Sequence, residues 1–331
     1  MNRRDFLRAA LALTVLPAVG CGGGGSSPGG ASSAIPQRVL GRTGARVSIV
    51  GLGGYHMAIP DEQESLRIIR AAIDGEITFL DNCWDYHGGE SERRMGRALR
   101  DGYRDRAFLM TKIDGRSKEN AARQIDESLV RLEVERVDLL QLHEVIRDDD
   151  PPRTFEPGGA IEALLEAREA GKARFLGFTG HKSPRIHAAM LDAAQAHGFT
   201  WDAVQLPLNV LDAHFDSFER QLLPRLVEEG VGVIGMKPLA DGRIPQVNVT
   251  GAEEALRYAM SLPVSVTVTG CDSMERVEQA LRVARGFQPL SEDEVAALLA
   301  RTAPAGESGA DERYKTTDRY DATSHNPGWI E

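Results

Sequence analysis

Cysteine is scarce in this sequence of 331 residues, which contains only Cys21, Cys83 and Cys271. So few cysteines, so far apart, exclude a disulfide framework and a cysteine-rich metal centre of the iron–sulfur or structural zinc kind. Positive charge is also in deficit, because 39 Lys and Arg face 49 Asp and Glu and the formal net charge is −10. An acidic chain lacks the clustered cations that phosphate contacts require, so nucleic acid is not expected as a partner.

Long hydrophobic runs are missing as well. The apolar stretch at 9–19 has only about half the length that a transmembrane helix needs. It follows Arg3 and Arg4, and this arrangement resembles a twin-arginine export signal. The segment Ala18-Val19-Gly20-Cys21 then resembles a bacterial lipoprotein cleavage box, in which Cys21 is the lipidated residue. We therefore expect an exported protein on the periplasmic or cell-surface side, held at the membrane only through an N-terminal lipid anchor.

The rest of the composition is that of a globular protein, with 42% hydrophobic and 27% charged residues. From Arg38 onward, β-rich apolar runs alternate with amphipathic helical patterns. The predicted strands are 47–53, 77–82, 107–113, 137–143, 175–180, 203–209, 231–239 and 264–270. The predicted helices are 62–75, 90–101, 117–133, 159–171, 183–197, 216–229, 251–262 and 273–285.

Eight consecutive strand–helix units predict an α/β fold of the (β/α)8 TIM-barrel type in a single domain. A doubly wound sheet is the rival, but Gly51-Leu52-Gly53-Gly54 lacks the G-x-G-x-x-G spacing after the first strand. The expected organisation is a signal peptide at 1–21, a Gly/Ser-rich linker at 22–36, the barrel at 37–301 and a tail at 302–331. The tail either covers the barrel mouth or packs elsewhere on the barrel.

Four polar residues stand where three adjacent predicted strands end, namely Asp81, Tyr86, Lys112 and His143. Carboxyl ends of barrel strands carry the chemistry of this fold, and burying four polar groups there is costly without a purpose. A lysine beside a tyrosine is expected to lower the phenol pKa from its usual value near 10, and an aspartate holds that lysine charged. A histidine beside them can orient a carbonyl oxygen. The set suits carbonyl reduction, for which a nicotinamide cofactor must supply the hydride.

The residues around these positions resemble the aldo-keto reductase family. The resemblance runs from about residue 38 to about residue 285. It rests on the stretch from Phe79 to Leu99, which is close to the family's D-x4-Y…E…LG-x-AL pattern, on Thr111-Lys112, and on the block at 138–143. The resemblance implies a barrel enzyme that uses NAD(P)H and a catalytic tetrad of Asp81, Tyr86, Lys112 and His143.

The resemblance also implies a cofactor site, although several positions depart from the family pattern. Gly180 replaces the usual asparagine, Met236 replaces a common aromatic residue, and Gln279 stands where glutamate is usual. Arg276 suits a 2′-phosphate, which favours NADP, while Asp272 adds a negative charge that leaves NAD open. The implied cofactor-binding residues are Asp81, Thr179, Gly180, Gln205, Met236, Lys237, Pro238, Leu239, Gly270, Ser273, Arg276 and Gln279.

Tyr55, His56 and Trp84 follow the first two strands and are the candidate substrate-pocket residues; Trp84 can equally be a packed rim aromatic. No metal is expected. A barrel metallohydrolase that uses His143 and Asp81 lacks the H-x-H typical of the first strand. The predicted function is reduction of an aldehyde or ketone to an alcohol, or the reverse, with Tyr86 as general acid/base. The alternative is a cofactor-binding sensor without turnover. A redox partner that recycles the cofactor is a possible second partner beside the small-molecule substrate.

Overall fold

The structure, a computed structural model, describes residues 34–331. The predicted export signal, Cys21 and nearly all of the predicted linker lie outside the described residues. Within the described part of the chain, no helix combines the length and the apolar character needed to cross a membrane.

Eight parallel strands form a closed barrel, as predicted. Each strand pairs with its neighbours in the chain, and the last pairs with the first, so that Gly270 lies opposite Gly53. The barrel strands are β3 (Val50–Gly53), β4 (Phe79–Asp81), β5 (Phe108–Ile113), β6 (Val137–Leu142), β7 (Ala173–Thr179), β8 (Ala203–Pro207), β9 (Gly232–Met236) and β10 (Val266–Gly270).

Helices follow the strands and cover the barrel. Ser183 shows how the sequence begins one of them, because its side chain accepts a hydrogen bond from the Arg185 amide and Pro184 takes the first helical position. The α-helices are α1 (Glu62–Asp74), α2 (Glu90–Ala98), α3 (Lys118–Leu132), α4 (Asp150–Phe155), α5 (Ala160–Glu169), α6 (Pro184–Ala196), α7 (Phe218–Gln221), α8 (Leu223–Glu228), α9 (Arg243–Gln246), α10 (Ala252–Ser261), α11 (Met274–Arg285), α12 (Glu292–Gly306), α13 (Arg313–Thr316) and α14 (Ala322–His325). Short 3-10 helices lie at Gly41–Thr43, Gly54–Ala58, Tyr86–Gly89, Tyr103–Arg106 and Pro327–Trp329.

The first predicted strand, 47–53, was wrong as a single element. Its first part is β2 (Arg46–Ser48), which pairs antiparallel with β1 (Gln37–Val39), and only β3 enters the barrel. Leu40 and Val47 are fully buried among the side chains of the barrel interior. The hairpin therefore closes the end of the barrel where the strands begin, which is opposite the predicted site.

Two other predicted elements differ from the structure for local reasons. The helix expected at 216–229 is divided at Leu222, because Pro224 in the first turn of α8 cannot donate a backbone hydrogen bond. The strand expected at 231–239 ends at Met236, where Lys237 takes a left-handed backbone conformation with φ 54°. This turn directs Lys237 into the loop at the barrel mouth.

Successive side chains of a barrel strand point alternately into and out of the barrel, so every second residue faces the interior. Phe79, Phe108 and Met110 belong to the apolar cluster that fills the barrel interior. The next inward positions on the same strands are Asp81 and Lys112, which are polar and buried. The barrel is therefore packed with apolar side chains below and lined with polar side chains at the mouth, where the carboxyl ends of the strands meet.

Candidate active site

Lys112 joins the polar residues of β4 and β5 at the mouth of the barrel. Its Nζ donates hydrogen bonds to Asp81 Oδ1 at 2.6 Å, to the Asn82 carbonyl at 2.8 Å and to the Tyr86 hydroxyl at 3.0 Å. The lysine is only 1% exposed, and Asp81 is 3% exposed. The structure thus brings Asp81, Lys112 and Tyr86 into direct contact, with the ammonium between the carboxylate and the phenol.

The phenol pKa moves opposite to the expected direction. Burial raises the pKa of Tyr86 well above its usual value, and the charge of Asp81 raises it further. The expected lowering of this pKa by Lys112 is therefore outweighed, because burial and the negative charges of Asp81 and Asp85 all act in the opposite direction. Tyr86 therefore remains a neutral phenol in this environment, which is the protonated, donating form.

His143 lies directly after β6 and faces Tyr86 edge to face, with ring centroids 5.9 Å apart. Its Nδ1 is 2.8 Å from Asp114 Oδ1 and 3.3 Å from Cys83 Sγ. Burial alone would lower the pKa of His143, but the nearby carboxylates of Asp114 and Asp85 raise it above the usual value. All four predicted tetrad residues therefore lie in one contiguous cluster.

Two buried polar groups beside this cluster are available to a ligand. Gln205 donates from Nε2 to Asp81 Oδ2 at 2.6 Å, whereas its Oε1 is buried and has no hydrogen-bond partner among residues 34–331. The Thr179 hydroxyl has only a 3.9 Å contact to Met236 Sδ. A ligand amide, such as the carboxamide of nicotinamide, has N–H donors for Gln205 Oε1 and a carbonyl oxygen that can accept from the Thr179 hydroxyl.

The remaining predicted cofactor residues line the ends of β7, β9 and β10. Gly180 is packed so closely that an added Cβ would lie 2.2 Å from the Val145 carbonyl oxygen. Lys237 Nζ lies over the rings of Tyr314 and Tyr320, at 5.2 and 5.1 Å from their centroids. Burial lowers the pKa of Lys237. Pro238 is buried and Leu239 half-buried in the loop after Lys237.

At the end of β10, Gly270 leaves room for His56, because an added Cβ would lie 2.2 Å from the imidazole ring. Ser273 is the N-cap residue of α11, but its hydroxyl makes no capping hydrogen bond. Arg276, in the first turn, pairs with Asp272 at 2.7 Å and is largely exposed. Gln279 is half-buried one turn later. A helix N-terminus beside an exposed arginine is a favourable place for phosphate groups.

The three substrate-pocket candidates occupy different surroundings. Tyr55 is 51% exposed and packs edge to face on Tyr86, with centroids 5.4 Å apart. His56 lies against Gly270, at the end of β10.

Trp84, the third candidate, is 9% exposed. Its Nε1 donates to Glu127 on α3, and its ring packs edge to face on Trp329. The contacts of Trp84 are thus those of a packed rim aromatic.

The tail crosses the mouth of the barrel. Asp321 accepts from Lys182 Nζ at 2.7 Å and lies 3.0 Å from His181 Nε2. Glu144 accepts hydrogen bonds from the Thr323 amide and hydroxyl at 2.8 and 2.6 Å. These contacts place the tail over the loops that follow β6 and β7. The sequence left the position of the tail open, because no local pattern pairs it with loops more than 130 residues away.

Arg116 is a further site residue that sequence reasoning missed. It is fully buried, and its guanidinium donates to Asp150, to the Asp114 carbonyl and to the carbonyls of His143 and Glu144. Its backbone amide also donates to the Ile330 carbonyl in the tail. Arg116 therefore connects the loop after β5, the loop after β6 and the tail. Its position four residues after Lys112 is the only signal that the sequence offers.

Comparisons with known proteins agree with this geometry. A family model described as "Aldo/keto reductase family" matches residues 49–254. L-galactose dehydrogenase of Arabidopsis thaliana is 32% identical over 232 residues, covering 64% of this chain and 68% of the relative. L-glyceraldehyde 3-phosphate reductase of Escherichia coli K12 is 29% identical over 240 residues, covering 67% of each chain.

A solved structure supports the fold. The holo form of aldo-keto reductase AKR11C1 from Bacillus halodurans aligns with a TM-score of 0.69 and 23% identity, covering 81% of this chain and 96% of that one. The region that the family model matches contains the barrel strands from β3 to β9, and with them the Asp81–Lys112–Tyr86 cluster. The chain belongs to the aldo/keto reductase family and is an NAD(P)-dependent oxidoreductase of that type.

Proposed function

We propose that this enzyme reduces an aldehyde or ketone carbonyl to an alcohol, or catalyses the reverse reaction, with Tyr86 as the general acid/base. The observation that carries the proposal is the position of Lys112 Nζ, which contacts Asp81 Oδ1 at 2.6 Å and the Tyr86 hydroxyl at 3.0 Å. A proton donor beside a fixed, buried cation is the arrangement that a developing alkoxide requires.

Each residue of the cluster has a distinct part in this chemistry. The bound nicotinamide supplies or accepts the hydride. Tyr86 gives its hydroxyl proton to the carbonyl oxygen as negative charge develops there, and Lys112 stabilises the phenolate that remains. Asp81 keeps Lys112 charged and in place. His143 holds the carbonyl oxygen through Nε2, because Nδ1 is engaged by Asp114.

For the cofactor, we propose that Gln205 and Thr179 hold the nicotinamide carboxamide, since Gln205 Oε1 is a buried acceptor that no other described residue engages. We propose NADP(H) as the preferred form, because Arg276 is a largely exposed cation in the first turn of α11. Asp272 pairs with the same arginine and therefore competes with the 2′-phosphate. The preference for NADP(H) over NAD(H) is therefore smaller than it would be with an unpaired arginine.

The experiment that tests the function follows NADPH and NADH oxidation by the purified full chain with a panel of aldehydes and ketones. Two relatives are named for a sugar and for a sugar-phosphate aldehyde, so sugars and phosphorylated aldehydes are the first compounds to try. We expect turnover that needs both cofactor and carbonyl and that is lost in Lys112→Met. Cofactor binding without turnover on any carbonyl or alcohol would favour the sensor alternative.

We also propose that the enzyme is exported through the twin-arginine route and anchored by a lipid on Cys21, with cofactor already bound. The support is the sequence at 1–33, with its arginine pair and cleavage box. Native protein from the membrane fraction of its own cells, once denatured, should release NADP or NAD in a one-to-one ratio. Soluble protein that carries no lipid would overturn the anchoring. Sustained turnover at that location requires a redox partner or second substrate that regenerates the cofactor.

A further inference from the structure

Four side chains with metal-binding atoms converge around Nδ1 of His143. Cys83, Asp85, Asp114 and His143 each place one such atom within 4.8 Å of the others. Nδ1 lies 3.3 Å from Cys83 Sγ, 2.8 Å from Asp114 Oδ1 and 3.7 Å from Asp85 Oδ1. Ligand atoms in a tetrahedral zinc site are separated by roughly 3.3–3.8 Å, so small side-chain movements suffice to complete one.

Two carboxylate oxygens of this cluster are left without hydrogen bonds. Asp85 Oδ1 and Asp114 Oδ2 are both buried and have no hydrogen-bond partner in the described part of the chain, although Asp85 Oδ1 lies within ion-pair distance of His143 Nδ1, at 3.7 Å. The Asp114 side chain is fully buried, and that of Asp85 is 8% exposed. Buried carboxylate oxygens are normally paired, because an unpaired one loses its hydration without compensation. Two such oxygens in one small volume point to a cation as their missing partner.

The cationic side chains nearest to this cluster already bind other groups. Lys112 Nζ contacts Asp81, Tyr86 and a backbone carbonyl. The Arg116 guanidinium pairs with Asp150 and donates to backbone carbonyls. Within the cluster itself, the imidazole of His143 is the one group that can carry positive charge, and it faces two carboxylates. The cluster therefore has an excess of negative charge that a divalent ion would neutralise.

We propose that Cys83 Sγ, Asp85, Asp114 and His143 Nδ1 bind a zinc ion. A thiol and an imidazole among the ligands favour zinc over magnesium or calcium, which prefer oxygen ligands alone. On binding, the Cys83 thiol releases its proton to solvent and ligates as the thiolate, so the reaction is a ligand exchange without oxidation or reduction.

The proposed site connects three adjacent barrel strands. Cys83 and Asp85 follow β4, Asp114 follows β5, and His143 follows β6. Arg116 supports two of these ligands from behind through the carbonyls of Asp114 and His143. Coordination at Nδ1 would keep the ring proton on Nε2, the atom offered to the substrate oxygen. Zinc binding itself is independent of the proposed function; only this consequence for His143 rests on it.

The test uses the full chain carrying Cys21→Ser, so that Cys83 and Cys271 are the only thiols. The protein is treated with a chelator, and Zn²⁺ alone is then titrated against a chromophoric competitor, without cofactor or substrate. We expect one zinc per chain and no comparable binding of Mg²⁺ or Ca²⁺. Co²⁺ in place of zinc should produce a thiolate-to-cobalt charge-transfer band and the intense visible spectrum of a tetrahedral site.

Variants then assign the ligands. Loss of a residue that only supports a metal ligand weakens metal binding by about 10–100-fold. Cys83→Ser and Asp114→Asn remove ligands, so each should weaken zinc binding by more than this. Cys83→Ser should also abolish the charge-transfer band. Cys271→Ser, which changes the other buried thiol, should leave both measurements unchanged. If Cys83→Ser does not fold, the cobalt spectrum of Cys271→Ser, in which Cys83 is the remaining thiol, decides the question.

A parent chain that takes up no zinc, or whose zinc and cobalt signals persist in folded Cys83→Ser, would overturn this inference. A chain that is active as a reductase but takes up no zinc when Zn²⁺ is titrated would overturn the inference alone. A zinc protein without turnover would instead count against the proposed function, so the two failures are distinguishable.

Discussion

Lys112 lies 3.0 Å from the Tyr86 hydroxyl, yet the pKa of that phenol is raised rather than lowered. Burial outweighs the nearby ammonium, because Asp81 at 2.6 Å cancels much of its charge. The lysine is thus placed to stabilise the phenolate as it forms, while the resting hydroxyl keeps its proton.

Tyr86→Phe should reduce the rate of carbonyl reduction by about 10²–10⁴-fold, because the ring remains and only the proton donor is lost. The dissociation constant for NADPH, measured by fluorescence quenching, should stay within about twofold, because Tyr86 is not among the predicted cofactor residues. Tyr103→Phe is the matched control, since it removes a hydroxyl that bonds Asp74 on the barrel exterior. Reduction at the parent rate in Tyr86→Phe would exclude this residue as the acid.

Cofactor preference should depend on the Asp272–Arg276 ion pair, which is 2.7 Å long. Arg276→Ala should weaken NADPH binding by about 10–100-fold and leave NADH nearly unchanged, because a charged hydrogen bond to the 2′-phosphate is lost. Asp272→Asn should strengthen NADPH binding by releasing the arginine. Titration calorimetry with both cofactors measures these effects.

The control for cofactor preference is Arg282→Ala, which removes another exposed arginine of α11 that pairs with Glu253. Its NADPH-to-NADH affinity ratio should match that of the parent enzyme. An unchanged ratio in Arg276→Ala would show that this arginine does not contact the phosphate.

The tail should loosen when its contact with the loop after β7 is removed. Asp321→Ala deletes the acceptor of Lys182 Nζ at 2.7 Å and the partner of His181 Nε2 at 3.0 Å. The buried His181 imidazole then loses its partner, at a cost of about 1–3 kcal/mol, whereas Lys182 keeps its hydrogen bond to the Thr317 carbonyl. We expect faster hydrogen exchange across 317–331 and faster cofactor release in stopped-flow measurements.

Asp148→Ala is the control for the tail, because it breaks an exposed pair with Arg185 on the surface. Equal exchange rates in both variants would mean that Asp321 does not retain the tail.

Stability should fall at acidic pH because of His187. Its ring nitrogens have no hydrogen-bond partner within the described part of the chain, and burial lowers the pKa of His187 to about 3. In the unfolded chain the pKa of this histidine is near 6.5. Below that pH the unfolded chain binds a proton that the folded chain does not bind, so folding stability decreases as pH falls. Between about pH 6 and about pH 4, this histidine alone should cost about 2 kcal/mol of unfolding free energy.

Denaturant unfolding at several pH values measures this effect. His187→Leu keeps an apolar side chain between Phe178 and Phe218 and should show a shallower pH dependence, whatever its stability at neutral pH. Identical slopes in the variant and the parent would contradict the assignment.

Much of the fold follows from the sequence by itself. Apolar runs and amphipathic helices alternate eight times, and parallel strands in a closed barrel bring all their carboxyl ends to one rim. Knowing that Asp81, Lys112 and His143 end or follow successive strands was therefore enough to place them together. The N-terminal hairpin was missed because Val47 and Val50 belong to one apolar run, and only barrel closure decides that the chain turns between them.

The electrostatic character of the site was decided by tertiary structure. The pKa of Tyr86 depends on how much water the assembled mouth excludes, and no local pattern encodes that. The pairing of Asp321 with Lys182 joins residues 139 positions apart. Asp114 was not among the site residues predicted from the sequence, yet it contacts the imidazole of His143. Residue types and strand ends are properties of the sequence, whereas burial and long-range pairing exist only after the barrel has closed and the tail has docked.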